Sequence, residues 1–209
     1  MGDVLDWGAT DSWTVEAWFR KTTTATANRK LVNKGMTAYG TPANAGYQLR
    51  IGDRTLHFTV TDSAGNSHVA STVEPAVGKW HHVAGVLDRG AGALRLYLNG
   101  TLAATTPLGA LGSLDTNIPL AIGALHRGAY GDTAETFLGC IAEVRLWRLA
   151  RSGAEIASTR SARLAGNEPG LAAYWPCDDG LGRTVRDAVV AGGAFHGTRG
   201  GYLAETWPA

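Results

Sequence analysis

The chain has 209 residues, a formal net charge of +1 and a hydrophobic fraction of 44%. This charge gives no electrostatic support to a nucleic-acid partner or an anionic membrane surface. No apolar run approaches the roughly 20 residues that a membrane-spanning helix needs, so we expect no membrane insertion. The 28 glycines among many threonines and serines are typical of a loop-rich β protein.

The N-terminal sequence MGDVLDWG contains neither a basic region nor an apolar segment, so it lacks the features of a signal peptide. The first predicted strand, Val4–Gly8, begins almost at once. We therefore expect the chain to be one domain of a larger protein. At this length a β sandwich is commonly a single domain, with enough residues to bury an ample core.

Alternation of apolar and polar residues predicts the first long strand from Ser12 to Arg20, because successive side chains of a strand point to opposite faces. The runs Tyr47–Ile51 and Leu56–Thr61 alternate in the same way around a glycine-containing turn, which predicts a β-hairpin. Two shorter strands are predicted at Arg29–Gly35 and Val69–Val73.

The central stretch, residues 80–106, predicts two consecutive hairpins. Val83–Leu87 is largely apolar on both faces, as expected for a strand that is covered on both sides. In the next strand Leu94 and Leu96 alternate with polar residues, which indicates one buried face. Asn99-Gly100 follows, and this dipeptide suits a type I′ turn because both central residues need positive φ. The sequence therefore predicts an antiparallel sheet.

The last third predicts a long strand at Phe137–Trp147 and then one short helix. Ser152 and Glu155 have the spacing of a capping box, and Gly166 is predicted to help end the helix. We expect residues 170–209 to pack on the sandwich and to supply extra strands.

Several of these segments resemble those of one family. They are Thr14–Phe19, Trp80–Gly85, Leu94–Gly100, Gly139–Arg145 and Arg151–Ile156. In sequence and order they resemble the laminin G-like jelly-roll domains of the concanavalin A-like lectin/glucanase superfamily. The resemblance implies an all-β, two-sheet antiparallel jelly-roll sandwich with one short helix, formed by a single domain over residues 1–209.

Catalysis is not expected from the carboxylates. Superfamily members that hydrolyse glycans use a pair of carboxylates, which must lie about 5–10 Å apart. Here Glu16 and Glu143 each stand alone on a predicted strand. We interpret these two residues and Arg145 as a structural charge network on one sheet, so the sequence predicts no catalytic residue and no enzyme.

Relatives often bind calcium at a loop rim, where six to eight oxygen atoms surround the ion. The resemblance makes five carboxylates candidate ligands here: Asp6, Asp88, Asp178, Asp179 and Asp187. Ala142 stands where many family members have an aspartate, which removes one potential ligand. The alternative is that each aspartate bonds its own backbone in a turn. Calcium-assisted binding stays open at this point.

A glycan site combines an aromatic ring that stacks on the sugar with polar groups for its hydroxyls. Seven residues opposite the apolar strand positions are candidates: Trp18, Arg50, His57, Arg95, Tyr97, Arg145 and Trp147. If that face is the concave sheet, they line one surface. The alternative is that Trp18 and Trp147 pack beneath the helix or the tail.

The two cysteines, Cys140 and Cys177, allow two interpretations. A disulfide would close a loop of roughly 40 residues and contribute about 3–4 kcal/mol by the chain-entropy estimate. Alternatively, both are small buried hydrophobic residues.

The sequence therefore predicts a non-catalytic recognition module of a secreted or cell-surface protein. Its most favoured ligand is a glycan. The main alternative is a protein-interaction or adhesion module without sugar affinity, and a glycoside hydrolase is a minor alternative.

Overall fold

The computed structural model describes residues 4–35, 45–126, 133–180, 184–190 and 195–198. The strands are β1 (Trp13–Lys21), β2 (Arg29–Gly35), β3 (Gly46–Gly52), β4 (Thr55–Thr61), β5 (Ser67–Val73), β6 (His81–Asp88), β7 (Ala93–Leu98), β8 (Thr101–Pro107), β9 (Ala121–Ile122), β10 (Leu125–His126), β11 (Thr133–Ala134), β12 (Gly139–Trp147), β13 (Leu171–Trp175), β14 (Thr184–Val185) and β15 (Gly197–Thr198). The helix of the described residues is α1 (Gly153–Thr159), and no helix in those ranges could cross a membrane.

Two large antiparallel sheets form a sandwich. The six-stranded sheet has the order β13-β12-β1-β6-β7-β8, and the five-stranded sheet has the order β5-β4-β3-β2-β9. Two small pairs, β10-β11 and β14-β15, accompany them. The two-sheet antiparallel sandwich with one short helix that the sequence predicts is confirmed.

The core lies between the two large sheets and is rich in aromatic rings. Trp7 and Trp13 stack with ring centroids 5.2 Å apart, and Tyr47 lies 4.5 Å from Trp13. Phe58 packs across the sandwich on Gly85, where an added Cβ would lie 2.5 Å from the phenyl ring. The Phe58 ring occupies the space that a side chain at position 85 would need. This explains why a glycine lies inside the buried strand β6.

The six-stranded sheet is buried on its outer face as well. Ile156 of α1 packs there on Ala84, Val86 and Tyr97 as a second, smaller apolar cluster. This confirms that the strand around Val83–Leu87 is covered on both sides. The predicted Asn99-Gly100 hairpin turn is also confirmed, with φ of 54° and 83° at the two residues.

A buried ionic cluster holds α1 and the segment before it on the sheet. The carboxylate of Glu16 accepts from Nε2 of His82 at 3.1 Å and from Nη1 of Arg151 at 2.6 Å. Arg151 also donates to Oγ1 of Thr159 at 2.9 Å, and its guanidinium lies 4.1 Å from the centroid of the Trp147 ring. Glu16 therefore belongs to a cluster that does not include Glu143 and Arg145, contrary to the single network predicted from the sequence.

Two local predictions are wrong. Val4–Gly8 does not form a strand, because Leu5 has φ of 62° and the segment instead buries Trp7 in the core. The helix has the predicted capping box at Ser152 but ends at Thr159, well before Gly166. After the helix, the Ala162 amide bonds the carbonyl of Thr159 in a tighter turn.

The C-terminal part packs on the sandwich. Strand β13 extends the six-stranded sheet, and Trp175 enters the main core, on which Val185 and Phe195 also pack. Both cysteines are thiols: Sγ of Cys140 lies 3.7 Å from a guanidinium nitrogen of Arg20, and Sγ of Cys177 lies 3.5 Å from the carbonyl oxygen of Trp175.

Candidate functional site

A cavity of about 460 Å³ lies on the outer face of the six-stranded sheet, where β1 and β12 meet the segment that follows α1. We call it the Trp80 cavity. Its lining consists of two indole rings, one carboxylate, two arginines and three small residues: Trp18, Trp80, Ala142, Glu143, Arg160, Ser161, Ala162 and Arg163.

The floor of the cavity is formed by paired strands. Trp18 of β1 lies opposite Ala142 of β12, and on its other side it lies opposite His82. The register of the β1–β12 pair shifts between Trp18 and Glu16, where Glu143 adopts φ of 53°. A positive φ is uncommon for any residue other than glycine. A β-bulge changes the direction in which the side chain of the bulged residue points. The bulge adds the Glu143 side chain to the cavity lining.

The Glu143 carboxylate is held by two donors. One oxygen accepts from Arg145 at 2.6 Å, and the two oxygens lie 2.9 and 2.8 Å from the Tyr174 hydroxyl. Burial, together with the neighbouring Glu143 carboxylate, raises the pKa of Tyr174 to about 12. The phenol therefore remains a hydrogen-bond donor at neutral pH, and Glu143 keeps a fixed position in the cavity.

The outer wall of the cavity, residues 160–163, is held to the sheet by side chains from its outer face. Arg145 donates to the carbonyl oxygens of Thr159 at 3.1 Å and Ala162 at 2.6 Å. Nε1 of Trp18 donates to the carbonyl oxygen of Arg160 at 2.6 Å. These three bonds hold the wall on the sheet directly after the helix ends.

Trp80 is the most accessible aromatic side chain of the cavity, with 43% of its surface exposed. The guanidinium of Arg20 lies 5.6 Å from the centroid of its ring, a cation–π distance that orients the indole. An exposed indole, a fixed carboxylate and the exposed side chain of Arg163 are thereby grouped around one concave surface, whereas the guanidinium of Arg160 donates to the carbonyl oxygen of Ala157 at 2.7 Å. Such a group can stack on an apolar ring face and hydrogen-bond its substituents.

The seven ligand-contact residues predicted from the sequence do not form one surface. Trp18 lines the Trp80 cavity. Tyr97, Arg145 and Trp147 have 7%, 0% and 3% of their surfaces exposed. They are covered because α1 and the outer wall lie on that face of the sheet, as the alternative interpretation for Trp147 anticipated. Arg145 acts through the wall that it holds and does not reach the cavity itself.

The remaining three predicted residues lie away from the cavity. Arg95 is half-buried and pairs with Asp88 at 2.8 Å. Arg50 and His57 lie opposite each other on β3 and β4, which belong to the five-stranded sheet. A strand residue that alternates with core residues points away from the core. The outer faces of the two sheets lie on opposite sides of the sandwich, so such residues of different sheets point in opposite directions. The alternation pattern does not show to which sheet a strand belongs, so the sequence analysis assigned residues of both sheets to one predicted binding surface.

The structure gives each of the five aspartates proposed as calcium ligands a protein partner. The partners are Lys34 for Asp6, Arg95 and the Ala91 amide for Asp88, Arg163 for Asp178, the Arg186 amide for Asp179, and the Tyr174, Val189 and Phe195 amides for Asp187. Among the described residues, no three His, Cys, Asp or Glu side chains converge on a point that could hold a metal ion. Calcium assistance therefore stays a prediction that these contacts do not support.

Glu16 and Glu143 are also placed apart. Glu16 is fully buried in the ionic cluster, whereas Glu143 lines the cavity, where it is the one carboxylate among the described lining residues. The spaced carboxylate pair that glycoside hydrolysis requires is not present in this lining.

Sequence reasoning missed Trp80 and the outer wall. The sequence does contain a signal for Trp80, because a tryptophan directly before a strand and outside its alternation has no core position to fill. No comparable signal exists for Arg160 and Arg163. Their position depends on the bonds that Trp18 and Arg145 of the sheet make to the wall, which no local pattern of the sequence indicates.

The fold resembles several solved structures. A protein from Bacteroides ovatus described as carbohydrate binding is 24% identical, with a TM-score of 0.68 over 98% of this chain, and this chain spans 58% of that protein. The CBM40 of the Ruminococcus gnavus IT-sialidase, bound to α2,3-sialyllactose, is 18% identical with a TM-score of 0.60 over 76% of this chain and 93% of that one.

A third similar structure is the ligand-binding domain of botulinum neurotoxin serotype D in complex with N-acetylneuraminic acid. It is 13% identical, with a TM-score of 0.60 over 78% of this chain and 39% of that one. No curated protein matches the chain in sequence. A laminin G family model of the concanavalin A-like lectin/glucanases superfamily matches residues 2–157, about three quarters of the chain. The chain therefore belongs to the concanavalin A-like lectin/glucanases superfamily.

Proposed function

We propose that this chain is a non-catalytic glycan-binding module and that the Trp80 cavity is its binding site. The observation that carries the proposal is the exposed Trp80 indole, which shares one cavity with the Glu143 carboxylate and the arginines of the outer wall. A sugar ring presents an apolar face of C–H groups and a rim of hydroxyls. The indole can stack on the apolar face, and the charged groups can hydrogen-bond the hydroxyls.

The size and shape of the site agree with this function. A volume of about 460 Å³ lies within the range of small-molecule sites, about 300–1,000 Å³. The strands and the hydrogen-bonded wall fix most of the lining before any ligand arrives. Preformed sites of this kind lose little conformational entropy on binding.

Arg163 supplies a group that an acidic sugar could bind. Its guanidinium is exposed and pairs with Asp178 at 2.6 Å, so an acidic sugar would compete with that carboxylate for it. Guanidinium groups bind carboxylates with two parallel hydrogen bonds. Two of the similar structures contain sialyllactose and N-acetylneuraminic acid, so sialylated glycans are the first ligands to test. A glycan ligand would be met outside the cell, so the proposal includes a secreted or cell-surface location.

A glycan array tests the function directly. We expect binding to a restricted set of glycans, with equal signals in buffer that contains calcium and in buffer that contains a chelator, because no metal is part of the proposed site. A loss of binding on chelation would contradict the metal-free site. An array without any signal would contradict the glycan-binding function and favour a protein-interaction module.

Replacing Trp80 with alanine should weaken binding of the array ligand by about 2 kcal/mol, or roughly 30-fold in Kd, because central tryptophans contribute most to such sites. Isothermal titration calorimetry would measure the change. The matched control is Leu102→Ala, since Leu102 is also a large exposed apolar residue, with 50% of its surface accessible, but does not line the cavity. Equal affinities of the two variants would show that the ligand binds elsewhere.

A further inference from the structure

Arg20 of β1 lies on the outer face of the six-stranded sheet, at the margin of the Trp80 cavity. It follows Trp18 by two positions on the same strand, so both side chains point to the same face. Across the sheet Arg20 lies opposite Cys140, close to the Trp18–Ala142 pair of the cavity floor. Its guanidinium also lies over the Trp80 ring. The Trp80 indole therefore connects Arg20 to the cavity.

The guanidinium of Arg20 is oriented by two uncharged groups. Its central carbon lies 5.6 Å from the centroid of the Trp80 ring, and Nη2 lies 3.7 Å from Sγ of Cys140. A thiol is a weak hydrogen-bond acceptor, and the indole offers only the electron-rich face of its ring. Both contacts hold the guanidinium at the margin of the cavity, and neither of them neutralises its charge.

The charge of Arg20 is available to a ligand. The side chain is exposed, and among the described residues no carboxylate pairs with it and no oxygen atom accepts from it. The two arginines of the outer wall differ in this respect. Arg163 pairs with Asp178 at 2.6 Å. Arg160 donates to the carbonyl oxygen of Ala157 at 2.7 Å. Of these three cations, Arg20 is the one that an anion can bind without displacing an oxygen of the protein.

The carboxylate of the cavity restricts how a charged ligand can lie. Glu143 is bonded by Arg145 and Tyr174, and its oxygens can accept further hydrogen bonds from neutral hydroxyls. An anionic group is repelled by Glu143 and attracted by Arg20. An acidic sugar in the cavity is therefore expected to direct hydroxyls towards Glu143 and its anionic group towards Arg20.

We propose that Arg20 is the residue that makes the Trp80 cavity selective for acidic glycans, by binding their carboxylate or sulfate group. The planar guanidinium of arginine can bind such an anion through two parallel hydrogen bonds. The inference rests on the proposed function, because it requires a sugar at Trp80. It adds to that function a class of ligand and the side chain that recognises it.

Calorimetry with acidic probes and their neutral counterparts tests this selectivity. The pairs are α2,3-sialyllactose with its methyl ester, a hyaluronan tetrasaccharide with its methyl ester, and lactose 3′-sulfate with lactose. Any further acidic glycan that binds on the array is added with its esterified or desulfated form. We expect at least one acidic probe to bind about tenfold more tightly than its neutral counterpart. Whether that probe carries a carboxylate or a sulfate identifies the anion, and added salt should weaken the preference.

Arg20→Gln should bind the acidic probe and its neutral counterpart with nearly equal affinity. If Arg20 only oriented the Trp80 ring, this variant would weaken both members of the pair by the same factor and keep the preference. Because Arg20 is exposed, its melting temperature should stay that of the unmodified chain. The matched control is Arg163→Gln, which removes the same charge from an exposed arginine of the cavity. It should keep the acidic preference.

The outcomes separate a failure of this inference from a failure of the glycan-binding function. If every glycan that binds were neutral, or if Arg20→Gln kept the acidic preference, the function would stand and the role of Arg20 would be refuted. A preference lost in Arg163→Gln and kept in Arg20→Gln would assign the selectivity to the outer wall instead. If neither the array nor any probe gave binding, the function and the inference would both be overturned.

Discussion

Glu16→Ala is expected to lower the free energy of unfolding by about 3–5 kcal/mol, because it leaves a buried guanidinium without its counter-charge. Glu16 is fully buried, and Arg151 lies 2.6 Å from its carboxylate. His82 would lose its partner as well. The same cluster holds α1 on the sheet, so the loss should extend to the helix and the wall behind it. Chemical denaturation monitored by tryptophan fluorescence would measure the effect.

The double variant Glu16→Met with Arg151→Met is the control for this prediction. Replacing both charged residues with apolar side chains of similar length removes the unpaired charge. We therefore expect the double variant to be more stable than the sum of the single changes predicts. Additive losses would show that the two side chains do not act as a pair.

The contribution of Glu16 should also depend on pH. Burial alone would raise the pKa of Glu16, but the hydrogen bonds and charges of His82 and Arg151 outweigh it and hold the pKa below its ordinary value of 4.5. The carboxylate therefore stabilises the fold fully above about pH 4.5, and its contribution disappears as the pH falls through the lowered pKa. The difference in unfolding free energy between the unmodified chain and Glu16→Gln should shrink accordingly in denaturation curves from pH 7 to pH 3.

Arg145→Met is expected to reduce stability and glycan affinity together. The Arg145 guanidinium is fully buried and bonds Glu143 and the carbonyls of Thr159 and Ala162. Losing these charge-assisted bonds should cost about 3 kcal/mol in the free energy of unfolding. Because the bonds place the outer wall of the Trp80 cavity, we also expect at least a tenfold rise in the Kd for the array ligand. Calorimetry at a temperature where the variant is folded would test this.

Arg163→Ala is the control that separates the effect of Arg145→Met on stability from its effect on glycan affinity. Arg163 belongs to the same wall, but its ion pair with Asp178 is exposed, so its removal should leave the unfolding free energy nearly unchanged. If Arg145→Met lowered stability but left affinity intact, the wall would not depend on Arg145 as the structure indicates.

The features that the sequence predicted well are local ones. The alternation of Val15, Ala17 and Phe19, the Asn99-Gly100 turn and the capping box at Ser152 each depend on residues within a few positions of one another. Such patterns are set by the geometry of a strand, a turn or a helix end, so they hold wherever the element is placed. They predicted an antiparallel sheet, and the two-sheet sandwich was predicted from the resemblance of the segments to the laminin G-like domains.

The site was harder to predict because exposure on the outer sheet face depends on distant parts of the chain. Tyr97 and Trp147 alternate with core residues along their strands, and both side chains do point away from the core. They are covered by α1, whose position is fixed by Ile156 and by the pair of Arg151 with Glu16, 135 residues away in the chain. Trp80 is left open only because the wall stops short of it. No local pattern carries this information.

The family match covers residues 2–157, whereas the outer wall of the Trp80 cavity follows that region, at residues 160–163. Trp18, Trp80 and Glu143 of the cavity lie within the matched region, and the outer wall is supplied by the stretch of chain that follows it. Ser161 and Arg163 are exposed and take no part in the core, so they can be exchanged without a cost to the sandwich. A library that varies these two positions, and leaves the anchoring Arg145 intact, would be a practical starting point for engineering new ligand preferences on this fold.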